Sequence, residues 1–305
     1  MINFNDIKFD HKEHSYTYKG QKLVSVTTLI SRVKQPFDKL KVATNVALRD
    51  SKTVEDVLDE WEKSGEEARD KGTLVHRYIE DTINKRTDNI LDNVNLQVPE
   101  MEAFDKAFVR ISNVLKAKFL LQEVVIGDPE IGVCGMLDCL LENDLVGKSN
   151  DKLLHVFDWK TGKKFDTHNS YAKMLPPFDD LDDCAYNHYS IQTSIYRLIL
   201  ERNPQPIRNT STVGRAFGDS YLLHLKTDGT YQLHRSKDFR SRIEEWLSTG
   251  LPENLAYDNR DEEYANQICA NLESWGTRRI SPPTKIRLGK AIKNILNDLS
   301  VKSNQ

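Results

Sequence analysis

LLHVFDWKTGKK, residues 153–164, carries an apolar, β-rich run straight into charged residues and a turn. Leu153 to Phe157 has the composition of a buried strand. Strand side chains alternate between two faces, so Asp158 and Lys160 share one face while Trp159 takes the other. One face therefore offers a carboxylate beside an ammonium. Upstream, GVCGMLDCLL (132–141) sets Asp138 in an apolar run, where a charge is expensive unless it is paired or bound to a metal. Glu123 is the same anomaly inside LLQEVVI (120–126). Leu120 to Ile126, Val133 to Leu141 and Leu153 to Phe157 read as three strands, antiparallel neighbours joined by tight connections. Carboxylates from adjacent strands make a hard, oxygen-rich site suited to Mg²⁺ or Mn²⁺. Glu123 either joins it, holds a water there, or faces solvent.

Helical signals flank these strands. In GTLVHRYIE (72–80), His76 and Glu80 stand four apart, which places an imidazole and a carboxylate on one helix face. In YSIQTSIYRLIL (189–200), Gln192 and Tyr196 share that spacing within an apolar helix expected over Tyr189 to Glu201, and supply polar groups for a phosphate or for the lysine. Residues 3–9, Tyr16 to Tyr18 and Leu23 to Val26 read as strands, followed by a helix that Ser25, Thr27 or Thr28 caps and Pro36 stops. Residues 38–85 are polar with apolar positions three or four apart, a helical lobe. Another helix is predicted from Pro99 to Lys118, with Met101, Phe104, Phe108, Ile111 and Leu115 on one face. Two more strands fit Tyr221 to Leu225 and Tyr231 to His234, around the turn TDGT. Four segments result: 1–37, a strand pair and helix; 38–118, a helical lobe carrying His76; 119–245, the core sheet and the Gln192/Tyr196 helix; and 246–305, a basic extension, helical at Arg287 to Leu299.

The length of 305 residues suits about two domains. With 43 Lys+Arg against 46 Asp+Glu, bulk charge argues neither for nor against nucleic acid, and only local patches speak. Those patches are Lys160 with Lys163 and Lys164, Arg235 to Arg242, and Arg278 to Lys293. No stretch approaches the ~20 apolar residues of a membrane helix, and MINFNDIKFD lacks the plan of a signal peptide. The expected location is intracellular, in the cytoplasm. Cys134, Cys139, Cys184 and Cys269 form no CxxC pair, so each is expected as a reduced, mostly buried thiol. The run FDDLDD (178–183) lacks the glycine and distal glutamate of a calcium loop and is expected as an acidic surface loop. His11 and His14 are expected to be exposed.

Taken in order, G-x-x-x-H (Gly72 to His76), E (Glu123), G-x-x-D (Gly135 to Asp138), D-x-K (Asp158 to Lys160) and Q-x-x-x-Y (Gln192 to Tyr196) resemble the RecB-type branch of the PD-(D/E)XK nucleases. His14 to Ile30, H-S-Y-x-Y…S-V-T-T-L-I, and PPFDDL resemble the phage and mitochondrial genome-maintenance exonuclease group within that branch. The resemblance implies an α/β fold with a restriction-endonuclease-like core, a mixed central sheet flanked by helices and a helical N-terminal lobe. It implies a Mg²⁺-dependent deoxyribonuclease in which His76, Asp138, Asp158 and the Trp159 backbone carbonyl bind the metal. Lys160 assists the attacking water, while Gln192 and Tyr196 orient the lysine or a phosphate; Glu123 completes the catalytic set. DNA contacts are expected at Ser25, Thr27, Tyr78, Lys163 and Lys164, and Trp61 and Trp159 are further candidates for stacking on bases. Some relatives hold an iron–sulfur cluster by one cysteine before the core and three after; the cysteines here do not follow that pattern, so no cluster is expected. The substrate expected is single-stranded or end-bearing DNA, in replication, recombination or degradation, from a stand-alone protein of phage type acting in the host cytoplasm. A structure-specific endonuclease on the same site and a silent DNA-binding subunit are the alternatives.

Overall fold

The computed structural model describes residues 2–10, 15–86, 97–114, 116–143, 152–208 and 210–249. His11, His14, Leu115, the stretch 144–151, Cys269 and the basic tail with its expected helix lie outside the described residues. Met1–Thr249 forms one compact unit, so the first three sequence segments, and the fourth as far as Thr249, share it.

The chain opens with a 3-10 turn, Phe4–Asp6, which occupies the first half of the strand expected over 3–9. Strand β1 is Ile7–Asp10, β2 Ser15–Tyr18 and β3 Gln21–Ser25, paired as antiparallel neighbours. Ser25 then caps helix α1, Val26–Ser31, its Oγ accepting the Thr28 N–H. The polar stretch becomes two helices, α2 at Lys39–Asp50 and α3 at Val54–Ile83, the latter started by a capping box between Thr53 and Asp56. At 30 residues α3 is about 45 Å long. Its first turns bury Val57 against Ala43 and Ala47 of α2, its middle from Glu62 to Asp70 is almost wholly solvated, and Val75 and Ile79 reach the main core. One helix thus carries residue 76 from a satellite cluster to the sheet.

Helix α4, Pro99–Val109, is shorter than the helix expected to Lys118. A π turn at Arg110–Val114 and a left-handed Lys116 (φ 51°) end it, and Lys118 already belongs to a strand. The three central strands are longer than their apolar runs: β4 Lys118–Asp128, β5 Val133–Asn143 and β6 Leu153–Thr161. Helix α5 covers Ala185–Arg202, β7 (Pro206–Ile207) and β8 (Thr210–Ser211) form a small hairpin, and β9 (Tyr221–Leu225), β10 (Tyr231–Arg235) and α6 (Arg240–Ser248) follow.

The main sheet is mixed, in the order β1-β2-β3-β5-β6-β9-β10 with β4 also on β5. β4 and β6 both run antiparallel to β5, as the sequence predicts, whereas β3 pairs with β5 and β6 with β9 in parallel. Cys139, Leu141, Phe157, Trp159, Leu223 and Leu225 alternate onto one face, beneath Val75 and Ile79 of α3 and Met101 and Phe104 of α4. Leu140, Val156 and Leu222 are buried on the other, where α5 packs on β4, β6 and β9. A mixed central sheet flanked by helices is therefore the architecture. No helix among the described residues is long and apolar enough to cross a membrane.

Candidate metal centre

β4 takes one edge of β5 along its length, so β3 and β6 must share the other edge. β3 pairs there with Val133 and Cys134, and β6 begins only at Cys139. Gly135 to Asp138 fills the gap where β3 and β6 diverge, leaving that part of the edge without a ladder partner among the described residues. Asp138 uses the opening: its Oδ2 accepts the Trp159 N–H at 2.9 Å, a side chain standing in for a missing ladder carbonyl.

Two further side chains converge on Asp138. His76 comes in from α3, with Nε2 4.0 Å from Asp138 Oδ2, and its Nδ1 lies 2.8 Å from Glu123 Oε1. One ligand atom from each of His76, Glu123 and Asp138 lies within 4.8 Å of the others. Glu123 therefore lies beside His76 and Asp138 rather than facing solvent. It does so from a left-handed backbone (φ 45°), a conformation that costs a non-glycine residue about 1–2 kcal/mol. The Arg208 guanidinium offsets this, donating to the carbonyls of Gln122 (3.0 Å) and Glu123 (3.2 Å). Glu80, expected beside His76, instead accepts from Arg86 at 3.0 Å.

Asp158 and Lys160 share a face as the strand period requires, Nζ lying 2.7 Å from Asp158 Oδ2. Asp158 is fully buried. Lys160 Nζ also donates to Gln192 Oε1 (3.2 Å), and Gln192 Nε2 donates to Tyr196 Oη (3.0 Å), so the two α5 residues form a relay that holds the lysine. Tyr189, one turn earlier on α5, places its ring 4.2 Å from Lys160 Nζ. Sequence reading missed that contact, although Tyr189, Gln192 and Tyr196 at i, i+3 and i+7 lie on one helix face.

The charges explain one another. Burial raises Asp138, with His76 and Lys160 working against it. Burial also raises Asp158, Lys160 opposing and Asp138 reinforcing. For His76 burial pulls downward, but Asp138 and Glu123 outweigh it and lift the imidazole to about 9. Lys160, likewise penalised by burial, is held charged by Asp158 and Asp138. Among the described residues the buried Asp158 carboxylate is balanced by Lys160, 2.7 Å from its Oδ2, and by the charge of His76. Crowded oxygen donors, one imidazole and a buried carboxylate that a single lysine contacts fit a hard divalent cation.

The remaining expected contacts divide. Lys163 and Lys164 are exposed on the loop after β6. Ser25 Oγ lies 3.0 Å from Thr27 Oγ1 and donates to Thr28 Oγ1, so these hydroxyls serve the start of α1. The Tyr78 hydroxyl is 2.9 Å from both Asp105 oxygens and its ring packs on the core, so it is not a free stacking face. Trp159 is likewise removed as a stacking candidate, its indole buried edge-on to Phe104. Arg235, Arg240 and Arg242 are engaged by Asp219, Asp238 with Glu201, and Asp180. The acidic run is structural: Phe178 is buried, Asp182 binds Lys173 and His168, and Asp183 binds His188. No family model matches the chain and no curated protein matches it.

Proposed function

We propose that this protein is a divalent-metal-dependent deoxyribonuclease, built on a PD-(D/E)XK-type core, that hydrolyses phosphodiester bonds in single-stranded or end-bearing DNA. The observation that carries the reading is the convergence of His76, Glu123 and Asp138 beside a lysine that Asp158, Gln192 and Tyr189 hold in place. His76, Glu123 and Asp138 would hold Mg²⁺ or Mn²⁺, with Asp158 and the Trp159 carbonyl as further donors. When bound, such an ion supplies positive charge for a phosphate oxygen and makes water a competent nucleophile.

The chain's own residues do the rest. Lys160 sets a fixed ammonium where negative charge grows on the phosphate, and its partners on three sides spare it reorganisation at that moment. Gln192 and Tyr196 keep its direction. Arg208 keeps Glu123 in a backbone conformation that aims the carboxylate at His76. The setting would be replication, recombination or DNA degradation.

The test is digestion of end-labelled linear and covalently closed circular single-stranded DNA with Mg²⁺, with Mn²⁺ and with EDTA, against Lys160→Ala. Metal-dependent loss of the linear strand alone is expected. Cutting of circles would make the enzyme an endonuclease. Binding without cutting under any metal, or full activity in Lys160→Ala, would overturn the catalytic reading.

A further inference from the structure

The linker between α1 and α2, residues 32–38, runs from the reaction site to the helical lobe, and the mechanism above leaves it unused. It is held in place. Val33 O accepts from Leu175 N (2.8 Å), Gln35 N donates to Asp183 Oδ2 (2.8 Å), and Gln35 Nε2 donates to Lys173 O (2.7 Å). Two of its side chains, Lys34 and Phe37, take no part in those hydrogen bonds.

Lys34 is half-buried and makes no hydrogen bond or ion pair among the described residues. A run of contacts brings it toward Lys160: the next residue's N–H meets Asp183, Asp183 binds His188, and the neighbouring Tyr189 ring lies 4.2 Å from Lys160 Nζ, so the two ammonium charges oppose each other. The carboxylate nearest in effect, Asp183, is already taken by His188 on Oδ1 and by the Gln35 N–H on Oδ2. A partly desolvated cation beside a second cation is unfavourable by itself and becomes favourable when an anion lies between them. Three residues on, Phe37 is 65% exposed, with its ring centroid 6.2 Å from that of Trp61 on α3. An exposed Phe37 ring backed by the half-buried Trp61, downstream of an ammonium without an ion pair among the described residues, suits a strand that alternates phosphates with flat bases.

We propose that this linker is a substrate tract, in which Lys34 binds a phosphate next to the one acted on at Lys160 and the Phe37–Trp61 pair stacks a base of the same single strand. The inference rests on the nuclease reading and adds to it the path of the strand, out over the α1–α2 linker toward the helical lobe. An internal phosphate and a terminal one offer Lys34 the same chemistry.

Binding of fluorescent oligothymidylate, with and without a terminal phosphate at either end, is measured in EDTA over a range of salt concentrations. Lys34→Met keeps the aliphatic stem and is expected to flatten the slope of log K against log salt by about 0.7, with Lys34→Arg restoring it. Equal flattening on all oligonucleotides assigns an internal phosphate; flattening confined to a phosphorylated end assigns the terminal one. Phe37→Ala is expected to weaken binding roughly tenfold at unchanged slope. If Lys34→Met and Phe37→Ala, with near-ultraviolet circular dichroism like the wild type, keep its slope and affinity, the tract is refuted while the nuclease reading stands. Wild-type protein that neither binds nor cuts removes both.

Discussion

Gly135→Ala tests whether the packing behind the candidate site is as tight as the structure has it. A Cβ at residue 135 would lie 2.8 Å from Tyr196 Cε1, 3.1 Å from its hydroxyl oxygen and 3.2 Å from Val26 Cγ2. Non-bonded carbons rest at about 3.5–4.0 Å, so the tyrosine ring must retreat by roughly 0.7 Å. It has no room: Tyr196 is 2% exposed and its hydroxyl is tied to Gln192. Overpacking of this kind costs about 1–3 kcal/mol. In a unit of this size each kcal/mol lowers Tm by about 2–4 °C, which puts the expected loss at about 2–12 °C in a thermal melt. Turnover should fall as well, by up to ~10²-fold, because a shifted Tyr196 moves Gln192 and thereby Lys160. Gly65→Ala is the control, since its Cβ would meet only the Arg69 guanidinium at 3.4 Å, and it should leave the melt unchanged or raise it slightly. A Gly135→Ala protein that melts with the wild type and keeps its rate would refute the argument.

Arg208→Ala should release Glu123 from its left-handed backbone and weaken Mn²⁺ binding roughly tenfold by calorimetry, with only a modest fall in Tm; an unchanged Mn²⁺ affinity counts against the positioning role. Asp138, Asp158, His76 and Lys160 all hold their protons to higher pH in the folded chain than in the unfolded one. The folded state then binds more protons, so the stability they contribute is complete below the carboxylate range and declines as pH rises toward about 9, the value for His76. A divalent ion displaces those protons, so the Tm gain from Mn²⁺ should grow over the same window, and a gain that shrinks with pH would contradict the assignment. Burial lifts Cys134 to about 12 and Cys139 well above its usual value. Both should therefore resist iodoacetamide at about pH 8 until guanidinium unfolds the chain; mass-spectrometric mapping that finds either labelled in the folded protein would show the sheet to be more open than described.

The strand period alone placed Asp158 and Lys160 on one face and Trp159 on the other, and the structure agrees. Helical spacing likewise aligned Gln192 with Tyr196. His76 and Glu80 were aligned by the same rule, yet only His76 meets the sheet, because helix spacing fixes a face and not what that face touches. The left-handed turn at Glu123 and the guanidinium that supports it join residues 85 apart in the chain, and no local pattern encodes such a pairing. The depth of Asp158 was equally invisible, since alternation says which side a residue takes and not how thickly that side is covered.

Local chemistry therefore determined the elements and the charged residues worth watching: apolar runs that must become strands, carboxylates that such runs tolerate only with partners, and a lysine two residues from one of them. What tertiary structure decided was which of these meet. β5 changes partner from β3 to β6 across Gly135 to Asp138, and the gap so opened is where His76, Glu123 and Asp138 converge. Edge sharing of that kind depends on contacts between segments far apart in sequence, whose register is set by the packing of both sheet faces rather than by the residues at the gap.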